Sequence, residues 1–430
     1  MMRQILIVVY DMLPYSKTWG GCQRMYFLAK ELQKRGNKVK VVAFRRDKYN
    51  TYGKELLEDV VYTEGQDVIS TPNSKATQPS NISESDYPLW MKKIVYGLDN
   101  LFFNEIQKGN GIKSYYKYRK GKKYLESILH ENRYDVAIVS CPPFTLFNCV
   151  SIIKKLSPST RIIMDYRDPW NSWHDRNKYT ARREKNIQKK ADVIVCTNQA
   201  LCDDMSRKFK ISLGSYRAIS NGFIKVETDL RTIPTPEIKE GCMNVVYTGS
   251  VGFTKQTNDY RNTGRLMDAF EDIIKANFSI RLIFVGVKDP YSVEILALKE
   301  RFGDRLQAIG VVNNTTALAY VENSDACLLL HTSDDNSGKF LISGKAYDYI
   351  QKRKYILSVA NDDSLHARIV NENKIGENAV NEVQPIKEMF IRSYELWKKG
   401  KLNDVYKNVA VEQFSRAIQI EQYVDLINTI

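Results

Sequence analysis

The chain has 430 residues, of which 43% are hydrophobic, and 64 Lys and Arg stand against 50 Asp and Glu for a formal net charge of +14. That length accommodates two domains with full cores, and the composition excludes a disordered chain. The charge suits an anionic partner, whether nucleic acid, a phosphorylated ligand or acidic lipid headgroups, and does not choose among them.

In chain order, "RQILIVVY" (3–10) is a short β-rich run with apolar residues on both faces. Gly20 and Gly21 then precede an amphipathic helix, "CQRMYFLAKELQKRG", and "KVKVVAF" opens a second strand. The first apolar run is too short for the core of a signal peptide, and no run of about 18 apolar residues follows anywhere. The sequence therefore predicts a cytoplasmic protein, on or off the inner face of the plasma membrane. Seven cysteines, odd in number and mostly inside apolar runs, contain no C-x-x-C pair and read as buried reduced thiols rather than a zinc site.

Residues from about 50 to 125 fit the alternation poorly. A loop-like stretch leads into "LWMKKIVYGLDNLFFNEIQKGNGIKSYYKYRKGKKY", basic and aromatic together. One reading is a helical excursion whose aromatics pack on the first domain while its lysines face water. The other is contact with an anionic membrane surface or a lipid-linked phosphate. Single-stranded nucleic acid uses the same residue types.

The alternation resumes with "YDVAIVS" (134–140), a helix near 145–156, "RIIMDY" (161–166), a helix near 177–190 and "ADVIVCT" (191–197). Short buried strands alternating with helices predict a parallel sheet covered on both faces, so a Rossmann-like domain spans 1–225. The polar, Pro-bearing stretch 226–242 reads as an interdomain linker. The pattern restarts with "MNVVYTGS", "IRLIFVGV", "LQAIGVV", "ACLLLHT" and "YILSVA", giving a second α/β domain over 243–405. Two such domains imply a cleft between their carboxyl strand edges. Residues 406–430 read as a C-terminal helix that packs back on the first domain.

Four stretches carry candidate chemistry. In "LISGKAYDYI", Lys345 falls in the first turn of a helix after Ser343 and Gly344, where free N–H groups and the helix dipole already favour an anion. Asp348, one turn on, can accept hydrogen bonds from paired ribose hydroxyls; the pair reads otherwise as a surface i,i+3 contact worth roughly 0.2–0.5 kcal/mol. "VVYTGSVGFTKQTNDYRNTGRL" sets Gly249 and Gly252 just after a strand, followed by Lys255, Arg261 and Arg265. Glycines let a phosphate approach the backbone and the cations neutralise it, although neither G-x-x-x-x-G-K-[ST] nor G-x-G-x-x-G is present. "RIIMDYRDPWNSW" crowds Asp165, Arg167 and Asp168 at a strand's carboxyl end, where charge is costly unless paired or functional. "SKTWGGCQRM" offers Gly20 and Gly21 to a phosphate or sugar.

The order and spacing of the amino-terminal "GG", "SCPPFT", "MDYRDPW", "ISNGF", "YTGSVG", "FVG" and "GKAYDYI" with "YILSV" resemble the family 4 glycosyltransferases, retaining enzymes of the GT-B fold. The likeness runs over nearly the whole chain and is nearest to the branch used in bacterial capsule, exopolysaccharide and O-antigen assembly. It implies two Rossmann-like domains facing each other across a cleft, a nucleotide-diphosphate sugar held by the second, and a saccharide acceptor, lipid-linked, held by the first. It implies that Lys345 binds the diphosphate, with Lys255 or Arg261 as a second cation. Gly249 and Gly252 would lie beneath the phosphates, with Ser343, Gly344 and Gly310 also in the donor set and Asp348 holding the ribose. Asp168 would face the reacting sugar, with Gly20, Gly21, Asp165 and Arg167 toward the acceptor. No cofactor and no metal are expected, as the sequence lacks a D-x-D triplet, and the cations with the helix terminus serve the leaving group. Two departures stand out: Phe340 where the family has a glutamate, and Arg167–Asp168 where it has a histidine. A non-catalytic nucleotide-sugar or glycan-binding protein is the runner-up, with a GT-B epimerase beside it. Nucleic acid is not expected as a partner, because it leaves the two glycine turns unexplained.

Overall fold

The computed structural model describes residues 2–16, 19–46, 57–63, 111–172, 178–225, 228–252, 261–333 and 336–430. The basic aromatic segment up to residue 110, Lys255 and Trp173 lie outside the described residues. The chain forms two compact units, Met1–Ser220 with Ile420–Ile430, and Asn221–Gln419.

The first unit is built on seven strands, β1 (Gln4–Val9), β2 (Lys38–Ala43), β3 (Val60–Tyr62), β4 (Val136–Cys141), β5 (Arg161–Tyr166), β6 (Val193–Cys196) and β7 (Tyr216–Ala218), in the order β3-β2-β1-β4-β5-β6-β7. All neighbours are parallel, with Ile5 opposite Val39 on one side and Val136 on the other. Ile5 to Val9 are buried without alternation, as in a strand covered on both faces. One face packs Ile5, Ile7 and Val9 on Met25, Leu28 and Leu32 of the helix Trp19–Lys34 and on Tyr423, Leu426 and Ile427 of the C-terminal helix Arg416–Thr429. Burying each of these aliphatic side chains contributes roughly 1.5–3 kcal/mol.

The second unit has six parallel strands, β8 (Met243–Thr248), β9 (Ile280–Val285), β10 (Leu306–Ile309), β11 (Ala326–His331), β12 (Tyr355–Ala360) and β13 (Gly376–Ala379), in the order β10-β9-β8-β11-β12-β13. The helix Gly264–Lys275 buries Leu266, Met267, Phe270 and Ile273 at helical spacing. Helix starts are marked by Ser292, Asn313 and Ser364, whose side chains accept from backbone N–H groups three residues on. In each sheet the order reverses beside the first strand, between β1 and β4 and between β8 and β11, which is where open α/β sheets bind ligands.

Of the stretch 226–242, residues 228–242 group with the second unit, where Leu230 and Ile233 pack on Leu318 and Ala319. Hydrogen bonds from the Tyr320 hydroxyl to Glu237 and from Asn323 to Thr235 (3.1 Å) hold it there as well. The second unit likewise extends beyond 405 to Gln419 and begins at Asn221. All seven cysteines are buried and none forms a disulfide. Among the described residues no helix is long and apolar enough to cross a membrane.

Candidate functional site

In the second unit the chain leaves β8 at Thr248 and turns at Gly249, whose φ is +102°. Gly286 (φ +98°) backs it so closely that a Cβ there would lie 3.2 Å from the Cα of Gly249, so only glycine fits this pair. Lys345 comes to the open side of the same turn. Its Nζ donates to the Tyr247 hydroxyl (2.8 Å), lies 4.2 Å from that ring's centroid, and would stand 3.1 Å from a Cβ on Gly249. Tyr247 in turn donates to the carbonyl of Ser250 (2.9 Å). The guanidinium of Arg261 donates to the Ser250 hydroxyl. Gly249, Lys345 and Arg261 therefore share one turn. Gly252 belongs to its frame, donating its N–H to the Arg261 carbonyl (3.1 Å) and accepting from Thr263 N (3.0 Å). Gly310 sits one layer behind, its carbonyl accepting from Gly286 N at 3.2 Å.

Lys345 is delivered by the helix Gly344–Gln351, which starts at an extended Ser343 (φ −64°, ψ 137°) with no side-chain cap. Gly344 is exposed, and an added Cβ would meet nothing within 4 Å, so the helix amino terminus is open. Tyr349 fastens the helix to β8 by accepting from Thr248 N (3.0 Å). Asp348 is partly buried. Burial pushes its pKa up to about 7, against the opposing charges of Arg416, Lys345 and Lys352. Phe340 is 8% exposed, so it is a buried residue where the resemblance implies an acid.

In the first unit Asp165 corrects the expectation of an acceptor-facing residue. It is fully buried and accepts from Ser140 Oγ (2.6 Å), Arg24 Nε (3.0 Å) and the Tyr423 hydroxyl. Arg24 also donates to the carbonyls of Ile219 (2.7 Å) and Ser220 (2.8 Å). Burial works against the guanidinium's charge, but Asp165 and Tyr423 outweigh it and raise its pKa. The cluster is an internal clamp, since a carboxylate with this many partners and no exposure has no surface to offer a ligand. Arg167 points its guanidinium at the carbonyls of Cys141 (3.4 Å) and Pro142 (2.5 Å), bracing the "CPPF" turn rather than standing clear of it. Trp170 stacks on Phe144 (5.2 Å, 4°) in the core. Asp168 lies just past β5, partly buried. Gly20 and Gly21 do not precede the first helix but form its first turn, since the helix begins at Trp19.

Tyr247, Arg24, Tyr423, His331 and His366 escaped the sequence reading. Arg24 had a signal: it falls among Cys22, Met25, Tyr26, Leu28 and Ala29, a charge at core spacing in an amphipathic helix.

No family model and no curated protein matches the chain. Among solved structures it is similar to HepE from Anabaena, solved with UDP (TM-score 0.65, 13% identity, 99% of this chain and 100% of that one) and with UDP-glucose (TM-score 0.61). It is also similar to a glycosyltransferase from Rickettsia africae (TM-score 0.61, 12% identity, 99% and 98% covered). A putative UDP-N-acetylglucosamine 2-epimerase from Listeria monocytogenes matches at a TM-score of 0.55 and 8% identity, with 99% and 96% covered. With these likenesses over essentially full length, the two helix-flanked parallel sheets are the Rossmann-like domains of a GT-B fold.

Proposed function

We propose that this chain is a retaining, metal-independent glycosyltransferase that moves a sugar from a nucleotide-diphosphate donor to a saccharide acceptor, lipid-linked, in cell-surface polysaccharide assembly. The observation that carries the reading is the ammonium of Lys345 set beside the Gly249 turn at an open helix amino terminus. Glycosyl transfer requires the departing diphosphate to be stabilised as its bond to the anomeric carbon breaks. A lysine, Arg261, and backbone N–H groups already in position supply that charge without reorganisation. Lys255 would add a further cation, and Asp348, when ionised, accepts hydrogen bonds from the ribose. The fold likeness to HepE, solved with UDP and UDP-glucose, supports a uridine nucleotide as the first donor to try. Asp168 is assigned to orienting the sugar, and Gly20–Gly21 to the acceptor side. Same-face attack by the acceptor hydroxyl, with its proton passing to the departing phosphate, needs no protein nucleophile.

The test is thermal stabilisation of the wild type and of Lys345→Ala by UDP-, GDP- and CDP-sugars. A shift with one nucleotide series, reduced at least tenfold in apparent affinity by the substitution, is the expected result; equal shifts in both proteins would exclude the lysine from the donor site. A second reading, nucleotide-sugar binding without transfer, is favoured by the buried Phe340. It predicts the same thermal shift with no sugar released or transferred.

A further inference from the structure

The loop that leads into the helix Gly344–Gln351 rests on two buried histidines. His331, the last residue of β11, is 2% exposed, and its Nε2 lies 2.9 Å from the hydroxyl of Ser337, which is fully buried. Loop backbone lies directly on this ring, for a Cβ on Gly338 would stand 3.0 Å from its Cδ2. His366, also 2% exposed, stands edge-on to His331 at 5.4 Å between centroids. Its Nε2 accepts from the backbone N–H of Ser343 at 3.0 Å. That N–H is one of the orphan donors of the helix start, and Ser343 has no side-chain cap to stabilise the turn otherwise.

An imidazole that accepts at Nε2 carries its hydrogen on Nδ1. Here Nδ1 is buried and has no hydrogen-bond partner among the described residues. A buried donor left without a partner calls for an explanation beyond packing. We infer that His366, with His331 beside it, is a positioning residue: the two rings brace the loop 337–343, so that Gly344 and Lys345 are presented to the diphosphate. This rests on the donor reading given above. Protonation of His366 would remove the acceptor for Ser343 and add a buried cation near His331 and Lys345. Burial first, then those two groups, keep the ring neutral.

The experiment uses the full chain, His366→Gln and His366→Leu, with UDP, GDP and ADP as probes, titrated calorimetrically at pH 6 and pH 8 alongside melting temperatures. Glutamine's Oε1 can accept from Ser343, so His366→Gln should bind within about threefold of the wild type. His366→Leu should bind about tenfold more weakly, as expected for a lost buried acceptor. Because the ring stays neutral in this range, the affinities of the wild type and of His366→Gln should change in parallel between pH 8 and pH 6. Asp348 is present in both proteins, so a steeper fall in the wild type would show His366 charging in this range and would overturn a neutral brace. In a spectrum of protein with ¹⁵N-labelled imidazoles, the resonance lost in His366→Gln should show the Nδ1–H tautomer; the sequence has only four histidines to assign. Leucine and glutamine variants that both bind like the wild type, or an Nε2–H tautomer, would overturn the brace. If the wild type bound none of the three nucleotides, the donor reading would fall instead, and the tautomer would still report whether the histidine supports the loop.

Discussion

In its proposed role Asp348 meets two conflicting demands. A carboxylate that holds a ribose works best ionised, whereas burial pushes its pKa up to about 7 despite Arg416, Lys345 and Lys352. Glu184 in the first unit is similar: burial raises it to about 7 although Asn171 and Tyr166 hydrogen-bond to it. In the folded state both carboxyls keep protons that the unfolded chain, with carboxyl pKa values near 4, has released by neutral pH. Their contribution to stability is therefore fully present at acid pH, declines as pH rises from about 4 to 7, and levels off above. His366 acts in the opposite sense, since a histidine held neutral favours the folded state as pH rises toward 6.5. The measurement is accordingly a difference: melting temperatures of wild type against Asp348→Asn and Glu184→Gln from pH 5 to 8. The advantage of the wild type over each variant should shrink, or its deficit grow, with rising pH. A difference independent of pH would mean the carboxyls titrate normally. Lys345 and the Gly249 turn were legible in the sequence because residue type and position at a strand end suffice to mark them. The protonation of Asp348 was not, because it depends on packing and on Arg416, far along the chain.

At the level of elements, the strands read from the sequence are the apolar ones, β6 and β10 among them at four residues each, and those it lacks are β3, β7 and β13, all at sheet edges and only three or four residues long. "VVY", "YRA" and "GENA" carry too little apolar pattern to be seen, because an edge strand has little to bury. Asp165 marks the same boundary of legibility. Its charge at a strand end suggests a ligand, and only the folded chain brings Arg24 from the first helix and Tyr423 from the last to pair it. The clamp ties the C-terminal helix to the first unit, so its loss is a loss of stability. Asp165→Ala or Arg24→Met should each cost about 3–5 kcal/mol in urea unfolding, as expected when one partner of a buried ion pair is removed. Removing both should cost less than the sum of the two. An Asp165→Ala protein of wild-type stability with altered acceptor kinetics would return the residue to the acceptor site.

Over the whole molecule, part of the surplus of 64 basic over 50 acidic residues lies next to the aromatic segment. The helix Gly111–Glu131 packs Leu125, Ile128 and Leu129 inward, and Gly121 lies against the ring of Phe44, so closely that a Cβ there would come within 2.6 Å. Arg119, Lys120 and Lys123 are exposed on its outer side, three and four residues apart. This helix is a packed part of the first unit and turns a basic face to solvent. Under the proposed function, a lipid-linked acceptor would bring the chain to an anionic surface, where each basic residue contributes about 1 kcal/mol. The full chain should therefore sediment with vesicles containing phosphatidylserine and not with neutral ones, and the association should weaken as salt rises. Reversing Arg119, Lys120 and Lys123 to glutamate should weaken it by well over tenfold, with melting temperature unchanged, since these residues are exposed. Equal sedimentation with neutral and anionic vesicles would remove the membrane from the proposal and leave the basic face as a solvated surface.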